Sequence, residues 1–215
     1  MTMRYQFAIF DMDGTLVDSM KYWDTVCTEF LQALGIHDES VFDILKPMTV
    51  EQTADYLKEN FGCPLSAAQM SEKMCGIMRE HYRHDVQAKS GASAFLQTLR
   101  ENGVRMCVAS SSPVDLVELC LRSVGLYEYF EFIVSAETVG IGKTDPDIYW
   151  YASDKLGSMP EDTIVFEDAL GAGLTAKRAG FAVAAVYDET SAAEWTEFCT
   201  IADYSVSDWR TAQID

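Results

Sequence analysis

No stretch of this 215-residue chain is long and apolar enough to span a bilayer, and none is rich in lysine and arginine. Basic residues number 16 against 34 acidic ones, a formal charge of −18. That surface repels nucleic acid and anionic membrane, so neither is expected as a partner. The six cysteines (Cys27, Cys63, Cys75, Cys107, Cys120, Cys199) lack Cys-x-x-Cys or ribbon spacing and sit mostly among apolar residues. Buried free thiols in a reducing cytoplasm are expected rather than a zinc site. The opening MTMRYQFAIFDMDG has too short an apolar run for a secretion signal, so the protein is expected to be cytoplasmic. There is no internal repeat and no low-complexity tract. His81 and His84, spaced as HYRH on a polar stretch, read as a solvated helix end. Nothing sets an oligomeric state, and a monomer is compatible with the sequence.

Five short apolar runs are predicted to be buried strands: Phe7–Phe10, Met106–Ala109, Phe132–Val134, Ile164–Phe166 and Val183–Val186. Helical patterns separate the later ones, over Ala92–Glu101, Val114–Ser123 and Ile148–Leu156, the last with Asp147 as its expected N-cap. Strands alternating with helices predict an α/β fold: a doubly wound parallel sheet with helices on both faces. The alternation breaks once. After the first strand, about seventy residues pass before the next one, far more than a loop needs. They carry helical patterns over Tyr22–Leu34, Val50–Phe61 and Ala67–Tyr82. A helical domain, residues 19–88, is therefore expected inside a core made of 1–18 and 89–215. The acidic and aromatic tail after Asp188 reads as a surface helix or strand closing the fold.

In wound parallel sheets, ligands bind beyond the carboxyl ends of the strands. The first run ends Phe10-Asp11-Met12-Asp13-Gly14-Thr15, and residues two apart on a strand share a face, so Asp11 and Asp13 project into one crevice. Gly14 permits the backbone to turn away sharply. The second run ends in Ser110-Ser111-Ser112, a source of hydroxyls and loop amides. The fourth ends in Glu167-Asp168. Lys143 follows Gly140-Ile141-Gly142 on a turn. Several acids meeting at one sheet edge repel one another, which a divalent cation relieves, and hard oxygen ligands favour magnesium. Lysine and serine suit phosphate oxygens, and paired carboxylates suit attack at phosphorus with proton transfer. The inventory is that of a phosphoryl-transfer site.

These residues resemble the motifs of the haloacid dehalogenase-like superfamily. DMDGTLVDS is similar to its DxDGTLxDS signature, VAS with Ser110 to its second motif, Lys143 to its third, and FEDALGAG with Glu167 and Asp168 to its fourth. The match runs in order from near the N-terminus to about Gly180. The resemblance implies Asp11 as nucleophile and metal ligand, Asp13 as general acid/base that also lends its carbonyl to the metal, and Asp168 as the remaining carboxylate ligand. Glu167 is implied to lie beside the metal's ligands without binding the metal itself. Ser110, Ser111 and Lys143 are implied to hold the phosphoryl group, and the 19–88 insert to be the helical cap. One departure stands at Lys143-Thr144-Asp145-Pro146-Asp147, where the family often shows Lys-Pro-x-Pro-Asp.

The expected activity is a magnesium-dependent phosphatase of a small phosphorylated metabolite, working through an aspartyl-phosphate. The alternative is a mutase resembling β-phosphoglucomutase, or, from another class, a non-catalytic binding protein of the same fold. Mutases of the family carry a histidine where Trp23 stands and a cap arginine near where Val50 stands. Dehalogenases lack the second aspartate, which is present here as Asp13. Phosphonate hydrolases need a cap lysine, and Lys46, Lys58 and Lys73 have solvated contexts. Ser112 is read as a helix cap, Asp18 and Ser19 as hinge and cap, Gly171 and Gly173 as helix–sheet packing positions, and Lys177 and Arg178 as surface charges.

Overall fold

The computed structural model describes residues 4–45, 48, 50–135, 139 and 142–214. Gly140 and Ile141 before Lys143, and Lys46, Pro47 and Thr49 beside Val50, lie outside them. The chain divides into two compact units, one of Met1–Met20 with Val86–Asp215, the other of Lys21–Asp85.

The first unit is a six-stranded, wholly parallel sheet. Its strands are β1 (Phe7–Phe10), β2 (Arg105–Ser110), β3 (Ile133–Ser135), β4 (Thr163–Glu167), β5 (Ala182–Val186) and β6 (Tyr204–Val206), in the order β3-β2-β1-β4-β5-β6. β6 falls in the tail after Asp188 that was read as a closing surface helix or strand. β1 lies in the middle, with Phe10 opposite both Val108 of β2 and Phe166 of β4. The strand order reverses across β1, so the crevice outside its carboxyl end is where such sheets take ligands.

Alternation along β1 divides the core. Ile9 joins Val165, Val183 and Tyr149 in one buried cluster. Phe10 points the other way, stacked on Phe166 with ring centroids 4.3 Å apart, and the Trp209 ring lies 5.5 Å from Phe166. Trp209 Nε1 also donates to the Thr15 carbonyl at 3.0 Å, tying the chain's end to the turn after β1.

Of the helices in chain order, α1 (Met20–Ala33), α2 (Glu39–Leu45), α3 (Val50–Phe61) and α4 (Ala67–His84) precede β2. α5 (Ala92–Glu101), α6 (Val114–Ser123), α7 (Asp147–Leu156), α8 (Leu170–Arg178) and α9 (Trp195–Ile201) belong to the sheet-bearing unit. α7 starts one residue earlier than expected. Pro146 occupies its N-cap position, and Asp147 is the first helical residue; Asp145 accepts the Asp147 amide at 3.1 Å. Gly173 packs against α9 rather than the sheet: a Cβ there would lie 2.3 Å from the Phe198 ring, while Gly171 has open space. Lys177, expected as a surface charge, is partly exposed and pairs with Asp203 at 2.5 Å.

The two chain segments that leave and re-enter the sheet-bearing unit are paired. Val17 and Ala88 form an antiparallel bridge, Asp18 N donates to Gln87 O at 2.9 Å, and Lys89 N donates to Leu16 O at 2.8 Å.

The second unit packs Phe30, Leu31, Val41, Leu45, Leu57 and Met70 into its own core. α4 opens with a capping box: Ser66 Oγ accepts the Gln69 amide at 3.3 Å, and Gln69 Oε1 accepts the Ser66 amide at 2.9 Å. At its other end His84 is exposed as expected, while His81 is half-buried. Its Nδ1 lies 2.8 Å from Asp85 and its Nε2 3.1 Å from Glu29, and its ring stacks on Tyr22. Burial opposes charging of this imidazole, but the hydrogen bonds and charges of Asp85 and Glu29 outweigh it and raise its pKa. Of the six cysteines, all free, Cys63, Cys107 and Cys120 are buried as expected, while Cys27, Cys75 and Cys199 are partly exposed. Among the described residues no helix is long and apolar enough to cross a membrane.

Candidate active site

The parallel register sets the site. One step beyond the paired Phe10 and Phe166 stand Asp11 and Glu167, and Asp168 follows, at the carboxyl ends of adjacent strands. Asp11, Glu167 and Asp168 are all buried, and each offers a carboxylate oxygen within 4.8 Å of the others. Lys143 lies among them, its side chain 9% exposed although its turn neighbours Gly142 and Thr144 are exposed. Its ammonium donates to Asp11 Oδ1 and, at 2.6 Å, to Glu167 Oε1. Ionised together, the three carboxylates and this one lysine leave two negative charges uncompensated.

The electrostatics follow from that crowding. Burial raises the Asp11 pKa well above the carboxylate range; the Lys143 charge opposes this, and the charges of Glu167, Asp168 and Asp13 add to it. Burial and the Glu167 charge push Asp168 to about 7, against the Thr15 hydrogen bond and Lys143. Burial works against the Lys143 charge, but its two carboxylate partners hold it firmly protonated.

A divalent cation fits this donor set. All the ligand atoms are carboxylate oxygens, the preference of a hard ion, and two charges are what the cluster lacks.

Asp13 is held differently. Ser19 Oγ donates to Asp13 Oδ1 at 2.6 Å and Ser112 Oγ to Oδ2 at 2.8 Å. Ser112 and Ser19, expected as helix caps and hinge, therefore bear on the second aspartate. The Asp13 carboxylate is not part of the buried triad. Ser110 is buried at the end of β2, its Oγ accepting the Ser112 amide at 3.1 Å, whereas Ser111 is exposed.

Gly14 meets two demands at once. Its φ of +79° lies in the left-handed region, and a Cβ there would come within 2.3 Å of Asp168 Oδ2. The turn it makes brings Thr15 Oγ1 to Asp168 Oδ1 at 3.0 Å.

Four residues around the site were given no role from the sequence, although Thr15 lies within the first motif. Thr15 is one. Tyr149, wholly buried on α7, donates its hydroxyl to Glu167 Oε1 at 2.9 Å. Beyond β5, Asp188 is buried and pairs with Lys89 at 2.9 Å; Lys89 also donates to the Tyr187 carbonyl at 2.6 Å. Tyr149 lay in a helical pattern read only for packing, and Lys89 at the point where the core was expected to resume after the helical insert.

Residues 8–186 match the family described as haloacid dehalogenase-like hydrolase. The YhcW protein of Bacillus subtilis, named as a phosphatase, is 30% identical over 181 residues, covering 80% of this chain and 79% of that one. Validoxylamine A 7'-phosphate phosphatase of Streptomyces hygroscopicus is 29% identical over 82% of this chain and 83% of its own. The crystal structure of CbbY from Rhodobacter sphaeroides in complex with phosphate superposes with a TM-score of 0.80 at 22% identity, over 96% of each chain.

Proposed function

The chain belongs to the haloacid dehalogenase-like hydrolases, and from that membership we propose that it is a phosphatase of a small phosphorylated metabolite, working through Asp11 with magnesium. The observation that carries the reading is the buried Asp11–Glu167–Asp168 cluster with Lys143 in its midst, at the carboxyl ends of β1 and β4. Relatives named as phosphatases support the reaction type.

In the proposed reaction an Asp11 carboxylate oxygen attacks phosphorus, the P–O bond to the alcohol breaks, and an aspartyl-phosphate forms. Asp13 gives the departing alkoxide a proton, then takes one from the water that attacks phosphorus and releases Asp11. Ser110, Ser111 and Lys143 hold the transferring phosphoryl oxygens, with Lys143 also offsetting the charge of Asp11. Asp11, Asp168 and the Asp13 carbonyl would hold the magnesium ion, which supplies positive charge against the phosphate as negative charge meets negative.

We assign the Lys21–Asp85 unit the role of a cap that selects substrate. Within it, Trp23 stands where mutases of the family carry a histidine, and its indole N–H is given to Tyr82 OH at 3.1 Å. An indole cannot relay a proton, which favours net hydrolysis over isomerisation. Strong net acidity suits a small-molecule substrate rather than nucleic acid, and the free thiols suit a cytoplasmic protein.

The test is hydrolysis of an aryl phosphate with magnesium and with EDTA. We expect release of inorganic phosphate only with the metal, and its loss in a folded Asp11→Asn variant. Full activity in EDTA, or in that variant, would overturn the reading.

A further inference from the structure

Tyr149 belongs to the apolar cluster on one face of the sheet, beside Ile148, Ala152 and Val165, with the Phe181 ring 6.2 Å away. A phenylalanine would satisfy all those contacts. Only the hydroxyl leaves the apolar surroundings, and it goes to a single carboxylate oxygen, Glu167 Oε1, at 2.9 Å; the Ala172 carbonyl, at 3.4 Å, is a weaker second acceptor. The same Oε1 receives Lys143 at 2.6 Å. Glu167 is itself 1% exposed, so water does not compete for it.

Two donors of different kinds thus converge on one oxygen. A lysine is a point charge on a flexible stem and follows a carboxylate wherever that turns. A fully buried tyrosine has its ring fixed by packing, so its hydroxyl offers a donor at a set place. One oxygen of Glu167 is committed to these donors, and the carboxylate lies in the buried cluster with Asp11 and Asp168. Rotating the carboxylate would carry Lys143 away from Asp11 and break both arrangements together.

We propose that Tyr149 is a positioning residue: its buried hydroxyl fixes Glu167, and through Glu167 both the ammonium of Lys143 and the carboxylate shell offered to a divalent cation. The proposal rests on the metal-dependent reading above. Hydrogen bonds to groups around a metal are worth roughly 10–100-fold in metal affinity when removed.

The test is calorimetric titration of the substrate-free protein with magnesium alone, comparing wild type, Tyr149→Phe, Glu167→Gln and the double variant. Thermal unfolding is followed in parallel as a check on folding. Tyr149→Phe should weaken magnesium binding roughly tenfold or more while melting as one cooperative unit. In the Glu167→Gln background the same substitution should cost much less, because the group it acts through is altered. Tyr149→Met, which also lacks the hydroxyl, replaces the phenylalanine variant if that one does not fold. Unchanged magnesium affinity in the single variant overturns the role of Tyr149, as does an equal fold-loss in both backgrounds. Wild-type protein that binds no magnesium would overturn the metal reading as well.

Discussion

Ser112 donates its hydroxyl to Asp13 Oδ2 at 2.8 Å, so the residue two places beyond β2 holds a carboxylate presented by β1. Ser19 holds the other oxygen. With both oxygens taken by hydroxyls, the torsion of this carboxylate is fixed from two sides. Ser112→Ala is expected to lower turnover of an aryl phosphate about tenfold, the scale of one hydrogen bond to a charged group. Ser112→Thr should recover most of that loss, since it keeps the hydroxyl. Equal turnover in wild type and the alanine variant would show that the bond does not matter to the reaction.

Gly14→Ala should be far more damaging than its size suggests. The added methyl meets Asp168 Oδ2 and must be held at a φ of +79°. A destabilisation of more than about 1 kcal/mol is expected from the backbone alone, read as a lower denaturation midpoint. Magnesium should protect this variant against heat less than it protects wild type. Protection equal to wild type would mean Asp168 had not been displaced.

The buried acids give the metal-free protein a characteristic pH dependence. Asp168 binds its proton with a pKa of about 7 in the folded state against 3.8 unfolded, and Asp11 shifts the same way. Between those values the folded chain binds protons that the unfolded chain has lost. The stability this confers is complete below pH 4 and is lost as pH rises towards 7. In EDTA, the melting temperature should fall across that window, and Asp168→Asn should flatten the fall. Magnesium should raise the melting temperature more at pH 7.5 than at pH 5. A flat profile in wild type would contradict the charge crowding.

His81 ties α4 to α1 within the Lys21–Asp85 unit. Both its ring nitrogens face carboxylates, Asp85 and Glu29, and a neutral imidazole has only one N–H to offer. Its pKa is raised on folding, so its stabilising contribution is full below the unfolded value of 6.5 and is lost as pH rises through the folded value. His81→Gln should therefore destabilise that unit more at pH 6 than at pH 9, by hydrogen exchange of amides in α1 and α4. An equal effect at both pH values would show that the charge on the ring is not what holds it.

The sequence carried its information unevenly. The strands β1 to β5 were legible because they are short apolar runs, the inner ones buried on both faces as parallel sheets require. β6 was read only as a closing helix or strand of unset bounds, because Tyr204–Val206 is a brief edge strand with Ser205 exposed. α2 escaped because seven residues give too few turns for a periodicity. At the site, Asp11, Asp13, Glu167 and Asp168 announced themselves by being charged at strand ends, and Lys143 by its place on a glycine-bounded turn. Thr15, Ser112 and Tyr149 did not: hydroxyls are common in turns and helices, and only the fold reveals which carboxylate each one meets. The Lys89–Asp188 pair joins residues 99 positions apart, a distance at which no local pattern reports.

The bridge between Val17 and Ala88 has a consequence for how such chains diversify. Because both ends of the Lys21–Asp85 segment depart from one small hydrogen-bonded pair, the sheet does not sense how much polypeptide is spliced between them. The entropy of closing a loop grows only with the logarithm of its length, so a longer or shorter helical module costs the host little. It follows that this junction is a graft point. A module from another member of the family could be exchanged here, its ends trimmed to meet Val17 and Ala88, while the carboxylates at the strand ends stay where the register of β1 and β4 puts them.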